Sequence, residues 1–145
     1  MIVKIKKLNE NAKIPTYGSP YSAGADLYAC IDNEITIAPG ETVLIKTGLA
    51  MELSSGYVAL IYARSGLATK RGLAPANKVG VVDSDYRGEI MVALHNHSTV
   101  PQVVTKDERI AQMVITPYIT AEFTEADTLN ETIRGEGGFG STGTK

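Results

Sequence analysis

The feature that most restricts the fold of this chain is the length of its apolar runs, all of which are strand-sized. From Ala25 to Ile31, apolar residues recur at every second position, as in a strand with one buried face. Other β-type runs cover Ile2 to Ile5, Val43 to Ile45, Gly56 to Ala63, Ile90 to Leu94 and Ile110 to Ile115. Turn signals such as Ala38-Pro39-Gly40 and Ser54-Ser55-Gly56 separate these runs, so the pattern predicts an all-β sandwich or barrel.

Helical patterning has little room in this sequence. We predict at most one short helix, from Ser65 to Lys70, with Ser65 as the residue that caps its N-terminus. A chain of 145 residues suits a single domain with one core. We therefore expect a β domain over residues 1–133, followed by a glycine-rich and mobile tail over residues 134–145.

The composition argues against several classes of protein. The 14 Lys and Arg residues nearly balance the 16 Asp and Glu residues, so the chain lacks the basic surface of a general nucleic-acid binder. Its only cysteine, Cys30, can form no disulfide within the chain, and no apolar run is long enough to cross a membrane as a helix. We expect a cytoplasmic protein that binds neither nucleic acid nor membranes.

The glycine-rich tail contains the spacing of a dinucleotide-binding fingerprint at Gly135, Gly137 and Gly140. We reject that match, because the fingerprint needs a strand before it and a helix after it, and only five residues follow Gly140. Composition alone leaves two interpretations open. The tail is either a flexible end without a role or a cover in which Arg134 pairs with a phosphate and Phe139 lies over a base.

Two internal clusters also carry polar groups that could do chemistry. Arg64-Ser65-Gly66-Leu67-Ala68 opens the predicted helix and could hold an anion, although an ordinary helix cap with an exposed arginine is the commoner meaning. In Asp83-Ser84-Asp85-Tyr86, a carboxylate beside apolar residues could act as a general base, although such a sequence is also ordinary in turns.

Other polar residues carry weaker signals. Asp26 lies on the face of its strand opposite Ala25 and Leu27, where a solvent-facing residue is the simplest interpretation. His95 and His97 have the spacing of metal ligands but no third ligand nearby, so we interpret them as structural or exposed. Ser65 has no evident His–Asp partner, which argues against a hydrolase of the catalytic-triad type.

Taken together and in order, five segments resemble the five motifs of the trimeric dUTPase family. They span nearly the whole chain, and five ordered motifs are far more specific than any one of them. The segments are Ala23 to Leu27, Arg64 to Ala68, Asn77 to Gly88, Glu108 to Met113, and Arg134 to Thr142.

This resemblance implies a jelly-roll-like protomer of the β-clip type, a homotrimer with active sites at subunit interfaces, and Mg²⁺ as cofactor. It implies hydrolysis of dUTP to dUMP and pyrophosphate by attack of water on the α-phosphorus. That reaction limits uracil in DNA and supplies dUMP for dTMP synthesis.

The resemblance also implies a role for individual residues. Asp83 would activate the water, Tyr86 would pack on the deoxyribose, and Asp26 would help to place Mg²⁺ through water. Uracil would be read by Asn77 and the β-hairpin backbone from about Gly80 to Met91, including Val82. The phosphates would be held by Arg64, Ser65, Gly66 and Gln112. The closing tail would add Arg134, Phe139, Gly140, Ser141 and Thr142, with Phe139 over the base.

Two alternatives remain beside this interpretation. A dCTP deaminase of the same fold, alone or combined with dUTPase activity, would need a second serine at Gly66 and a glutamate at Ala93, and neither is present. A catalytically silent nucleotide-binding or capsid-like jelly roll would be indicated by loss of Asp83 or of the tail motif, and both are retained.

Overall fold

The structure is a computed structural model and describes residues 1–138. Over this range the chain is nearly all β, with one short helix, which confirms the all-β prediction. The strands are β1 (Lys4–Lys7), β2 (Thr16–Tyr17), β3 (Ala25–Tyr28), β4 (Ile35–Ile37), β5 (Thr42–Lys46), β6 (Leu49–Glu52), β7 (Tyr57–Tyr62), β8 (Leu73–Pro75), β9 (Gly80–Val82), β10 (Met91–Asn96), β11 (Gln102–Val104) and β12 (Arg109–Pro117). The helix α1 (Ser65–Arg71) lies between β7 and β8.

All strand pairs in this range are antiparallel. The largest sheet has the order β2-β3-β12-β7-β9, so β12 lies at its centre and β9 at one edge. A second sheet has the order β5-β10-β8, and two further pairs join β1 with β6 and β11 with β4. Side chains from these sheets form one continuous core, which includes Leu27, Ile45, Ile61, Leu94 and Ile110. This core fixes the positions of the strand ends from which the polar clusters emerge.

Strands β5, β7, β10 and β12 match the predicted apolar runs, and β1 and β3 overlap theirs. Six short strands were not predicted from apolar patterns, although the family resemblance implied β9 as part of a hairpin. The missed strands are β2, β4, β6, β8, β9 and β11, each of two to four residues. Segments this short carry too little periodicity to be recognised alone, and their extended form depends on pairing with distant strands. For example, β9 is held by β7, with Ala59 opposite Val82 and Ile61 opposite Gly80.

The first residue of α1 is Ser65, whereas a helix capped by Ser65 would have begun at Gly66. Its N-cap is Arg64, which has extended backbone angles and no side-chain cap hydrogen bond, so the prediction that Ser65 caps the helix was wrong. Arg64 follows directly from the end of β7, and its carbonyl accepts the first helical hydrogen bond from Ala68 N–H at 2.9 Å. Within residues 1–138, α1 is too short and too polar to span a bilayer, and no other helix is present.

Beyond β12 the chain forms no further helix or strand over residues 118–138. Four apolar side chains in this C-terminal segment are at least 89% exposed, namely Ile119, Phe123, Leu129 and Ile133. Singly exposed apolar residues are common, but four along one segment leave an unusual amount of apolar surface in contact with water. A single chain therefore leaves this segment without a cover. The expected division into a domain and a mobile tail at residue 134 stays a prediction.

Candidate active site

A pocket of about 270 Å³ lies between β9 and β10, and we call it the strand pocket. It brings together six of the residues that the sequence singled out: Asn77, Gly80, Val82, Asp83, Tyr86 and Met91. The rest of its wall is mostly apolar, including Leu44, Ile61 and Val92. An apolar slot with a few polar groups suits a flat heterocycle whose edge needs hydrogen bonds.

The two strands that flank this pocket are not paired with each other. A β-hairpin from Gly80 to Met91 was expected, but β9 belongs to the five-stranded sheet and β10 to the three-stranded sheet. Strand β8 pairs with only part of β10, Leu94–Asn96. Strand β9 has no described partner on its outer edge. The strands separate because each is held by its own sheet. Backbone donors and acceptors along this opening are thus available to a ligand.

Asp83 and Tyr86 occupy the turn that follows β9. Asp83 is exposed, and its carbonyl accepts a hydrogen bond from Tyr86 N–H at 3.2 Å. The Tyr86 hydroxyl donates to the Glu89 carbonyl at 3.0 Å, which folds the ring back onto the turn. Arg87 Nη1 donates to the carbonyls of Ser84 and Tyr86 and braces the same turn. Asp83 therefore projects from a braced turn at the mouth of the strand pocket.

A second pocket, of about 430 Å³, lies where β3, β7, α1 and β12 meet, and we call it the arginine pocket. Among its lining residues are the predicted Asp26, Arg64, Ser65, Gly66 and Gln112. Its wall is richer in polar groups than that of the strand pocket. Two guanidinium groups, a hydroxyl and the exposed backbone of Ser65 and Gly66 suit a phosphate chain.

Asp26 is the centre of the charge network in the arginine pocket. Its Oδ1 accepts from Arg64 Nε at 2.7 Å, and its Oδ2 accepts from Arg109 Nη1 at 3.2 Å. Asp26 is only 8% exposed, so the interpretation of a solvent-facing strand residue was wrong. The sequence placed it on the correct face of β3, but that face is covered by arginines that are distant along the chain. Two guanidinium groups against one carboxylate leave the cluster with a net positive charge.

Gln112 lies beside this cluster on β12, opposite Asp26 in the β3–β12 ladder. Its amide Nε2 donates to the Ala63 carbonyl at 2.8 Å, which links β12 to the end of β7 just before Arg64. Gly24 lets Gln112 come this close, since a Cβ at Gly24 would be 2.6 Å from Gln112 Oε1. The close approach therefore needs glycine at this position.

Sequence reasoning did not assign a role to Arg109, although it lies within the fourth motif. The available signal was its position at the start of a strand that also carries Gln112. In the β3–β12 ladder, Arg109 lies opposite Tyr28, two residues from Asp26 on β3. The ion pair between Arg109 and Asp26 therefore depends on the register of the two strands. Arg109 completes the pair of arginines on Asp26.

The tail residues take no part in either pocket within the described residues. Arg134 is exposed, and its Nε donates to the Gly137 carbonyl at 2.9 Å. Phe139, Gly140, Ser141 and Thr142 lie outside the described residues. In the described part of the chain, no residue lines both the strand pocket and the arginine pocket.

Metal ligands are sparse in residues 1–138, where no group of three His, Cys, Asp or Glu side chains could hold an ion. The rings of His95 and His97 lie 4.4 Å apart, but His95 Nδ1 is hydrogen bonded to Thr42 Oγ1 at 2.8 Å and His97 is exposed. Asp26 is the one carboxylate among the described lining residues of the arginine pocket.

Comparison with known proteins adds an independent line of evidence. The family model described as dUTPase matches residues 10–143. The deoxyuridine 5'-triphosphate nucleotidohydrolase of Desulfitobacterium hafniense is 58% identical over 132 residues, which are 90% of this chain and 87% of that protein. The protein of the same name from Nautilia profundicola is 52% identical over 143 residues, which are 99% of each chain.

Solved structures show the same fold. A mutant dUTPase of Staphylococcus bacteriophage 80alpha, solved with dUpNHpp, has a TM-score of 0.90 at 27% identity and is matched over 98% of both chains. A mutant dUTPase from phage phi11 of S. aureus, described with a structural Mg(II) ion, has a TM-score of 0.82 at 22% identity. It is matched over 90% of this chain and 100% of that chain, and this likeness extends to the fold alone. The jelly-roll-like class predicted from the sequence is confirmed.

Proposed function

The chain belongs to the dUTPase family and is an enzyme that hydrolyses dUTP to dUMP and pyrophosphate, and from this premise we propose how its residues share the reaction. The base and sugar of dUTP bind in the strand pocket. The phosphate chain binds in an arginine pocket that a neighbouring subunit supplies. The enzyme is a homotrimer, and each active site lies between subunits. In the cell, the reaction limits uracil in DNA and supplies dUMP for dTMP synthesis.

The observation that carries this proposal is that the two pockets share no described lining residue within one chain. A nucleoside triphosphate is a single connected molecule, so the groups that hold its two ends must come together. Cyclic assembly brings different faces of identical chains into contact and can complete such a site. The exposed apolar side chains of the C-terminal segment support assembly, because a neighbouring subunit would remove them from water.

We expect the enzyme to select its base through hydrogen bonds between the base and backbone N–H and C=O groups of the strand pocket. Uracil donates from N3 and accepts at O4, whereas cytosine has the opposite pattern at these atoms. The open edge of Gly80–Val82 and the backbone at Met91, with Asn77 beside them, offer groups that pair with uracil. Cytosine would leave some of them buried without partners, which can discriminate by about 10⁴-fold. The methyl group of thymine would overfill the slot, and overpacking of this kind destabilises by roughly 1–3 kcal/mol.

The phosphates are held by Arg64, Ser65, Gly66 and Gln112 in the arginine pocket. Triphosphate hydrolysis depends mainly on alignment and on neutralisation of charge, so no nucleophilic side chain is needed. The tail closes the site, with Arg134 on the terminal phosphate and Phe139 over uracil. Gly140, Ser141 and Thr142 contribute further polar contacts to the phosphates.

The residues present fit Mg²⁺ bound through water and substrate. Mg²⁺ keeps several of its waters and is bound in many enzymes by one or two carboxylates together with substrate phosphates. Asp26 supplies one carboxylate beside the phosphate site, although its oxygens already accept from two arginines. This donor set suits contact through water better than direct ligation. When bound, Mg²⁺ would neutralise charge on the phosphate oxygens.

Asp83 is the general base of the reaction. Its exposed carboxylate lies at the mouth of the strand pocket, on a turn braced by Arg87, where a water molecule can reach the α-phosphorus. Asp83 takes a proton from that water, the new P–O bond forms, and pyrophosphate leaves with the electrons of the broken P–O bond. Tyr86, three residues later, packs on the deoxyribose and excludes a ribose 2′-hydroxyl.

We also place the enzyme in the cytoplasm. The free Cys30 is compatible with a reducing compartment, since it has no second cysteine in the chain with which to pair.

Subunit complementation tests the shared site. Asp83→Asn and Arg64→Ala subunits should each be inactive as homotrimers. In a cyclic trimer assembled at random from equal amounts of both chains, roughly three quarters of the trimers are mixed, and about one site in three of each mixed trimer is complete. Co-expression should therefore restore about a quarter of wild-type activity. If mixed trimers, verified by two affinity tags, remain inactive, both residues must act within one subunit.

Substrate selection can be measured by pyrophosphate release from dUTP, dCTP, dTTP and UTP in parallel, with Mg²⁺. We expect rapid release from dUTP and a kcat/KM for dCTP lower by about 10⁴-fold, because of the unpaired groups described above. Chelation of Mg²⁺ should slow the reaction with dUTP. Comparable rates with dUTP and dCTP would contradict base selection by backbone hydrogen bonds in the strand pocket.

A further inference from the structure

Gly88 lies two residues after Tyr86, in the turn that leads to β10, and the Tyr86 ring lies directly against it. A Cβ built at Gly88 would be 2.5 Å from Tyr86 Cζ and 3.0 Å from Tyr86 Cε2, and nearer still to the hydroxyl oxygen. Real Cβ atoms essentially never come within 3.0 Å of another heavy atom in this way. Any side chain at Gly88 would therefore displace the Tyr86 ring.

Gly88 differs from several other glycines of the chain, because its φ angle is not one that favours glycine. Gly48 and Gly72, for example, have φ angles of 68° and 66°, in the left-handed region that disfavours other residues. Gly88 is not in that region, so its φ angle gives no reason for glycine. The space for the Tyr86 ring is the structural feature that depends on glycine here.

The Tyr86 ring is held in this position by a hydrogen bond at its hydroxyl, and part of the residue is exposed to solvent. Its hydroxyl donates to the Glu89 carbonyl at 3.0 Å, while the residue remains 44% exposed. A ring displaced from Gly88 can thus turn toward solvent without opening the core. We expect a side chain at Gly88 to change the position of the ring and to leave the fold intact.

We propose that Gly88 is a positioning residue that sets the discrimination between deoxyribose and ribose, because it provides the space in which the Tyr86 ring lies. This inference rests on the proposed role of Tyr86 at the sugar. A wall excludes a 2′-hydroxyl only when it stands in van der Waals contact with the 2′ carbon. A shift of about 1 Å in a positioning group can change rates by up to about 10²-fold.

The test is the ratio of kcat/KM for dUTP to that for UTP, measured in the full-length enzyme. Gly88→Ala should lower this ratio by at least about tenfold, through slower turnover of dUTP and faster turnover of UTP. Ser84→Ala is the control, since it changes a side chain in the same turn at a residue that lines neither the strand pocket nor the arginine pocket. The control should keep the wild-type ratio.

A double-mutant cycle shows whether Gly88 acts through Tyr86. Tyr86→Ala should lower the same ratio, and adding Gly88→Ala should then change it no further. If Tyr86→Ala lowers the ratio but Gly88→Ala does not, the inference about Gly88 is wrong while the role of Tyr86 stands. If Tyr86→Ala leaves the ratio unchanged, the role of Tyr86 at the sugar fails and the inference fails with it.

Folding of the variants is also informative. If Gly88→Ala does not fold but the double variant does, the collision with the Tyr86 ring is confirmed as the reason for glycine. If neither folds, the backbone needs glycine for another reason and the inference is overturned. Thermal unfolding of all four chains distinguishes these outcomes.

Discussion

Replacement of Asp83 by asparagine should lower kcat by about 10²–10⁴-fold, the range that a general base contributes. Asparagine has the size of aspartate but cannot accept the proton from the attacking water. Asp83 is exposed on a braced turn, so the fold and the strand pocket should persist. We expect the variant to bind dUTP with nearly unchanged affinity, measured by calorimetry, while single-turnover chemistry is slow.

Asp85→Asn provides the control for this experiment. Asp85 lies in the same turn and is also exposed, but it does not line the strand pocket. The same loss of charge two residues away should leave kcat close to the wild-type value, because Asp85 does not line the pocket that we propose for the substrate. Equal losses in the two variants would indicate an effect of charge on the turn as a whole. Near-normal turnover of Asp83→Asn would remove Asp83 from the mechanism.

Deletion of residues 134–145 should lower kcat/KM by at least about 10³-fold, the lower end of what an arginine brought onto a transferring phosphoryl group provides. The deletion removes Arg134 and Phe139, which in the proposed function contact the terminal phosphate and the base. Assembly and melting temperature should not change, because the strands and the core that the structure describes in residues 1–138 lie before residue 118. Steady-state kinetics, size-exclusion chromatography and thermal unfolding together check this expectation.

A shorter deletion of residues 143–145 serves as the matched control, because it keeps every tail residue to which we assign a contact. That chain should retain wild-type kinetics. A chain lacking residues 134–145 that turns over dUTP at the wild-type rate would show that the tail has no part in catalysis. A truncated chain that no longer assembles would show that the tail serves the trimer, contrary to the proposal.

The sequence predicted the long strands well, because each buries enough apolar residues for its pattern to be read locally. The shorter strand β3 begins at the predicted residue but ends at Tyr28 instead of Ile31, and alternation assigned Asp26 to the correct face. What covers that face could not be predicted, since Arg64 and Arg109 reach Asp26 from 38 and 83 residues away. Contacts of that kind depend on strand order, which local patterns do not encode.

The failures at the site have similar physical causes. Ser65 is a good N-cap by residue type, but the end of β7 leaves Arg64 extended, and the backbone position decides which residue caps the helix. Gly80 to Met91 was expected to form a hairpin, yet its two strands are held by different sheets. Many residues of the five motifs line one of two pockets, but this division between pockets came only from the three-dimensional structure.

The open outer edge of β9 has a consequence for how this enzyme can evolve. A contact made by a backbone N–H or C=O persists when the side chain of that residue changes. In the proposed function, uracil selection would therefore tolerate neutral substitutions along β9 that would destroy a reader built from side chains. Val81, which is 63% exposed, is a position where such drift should be common. Base fidelity would then be robust to mutation, whereas sugar fidelity would depend on the pairing of one ring with one glycine.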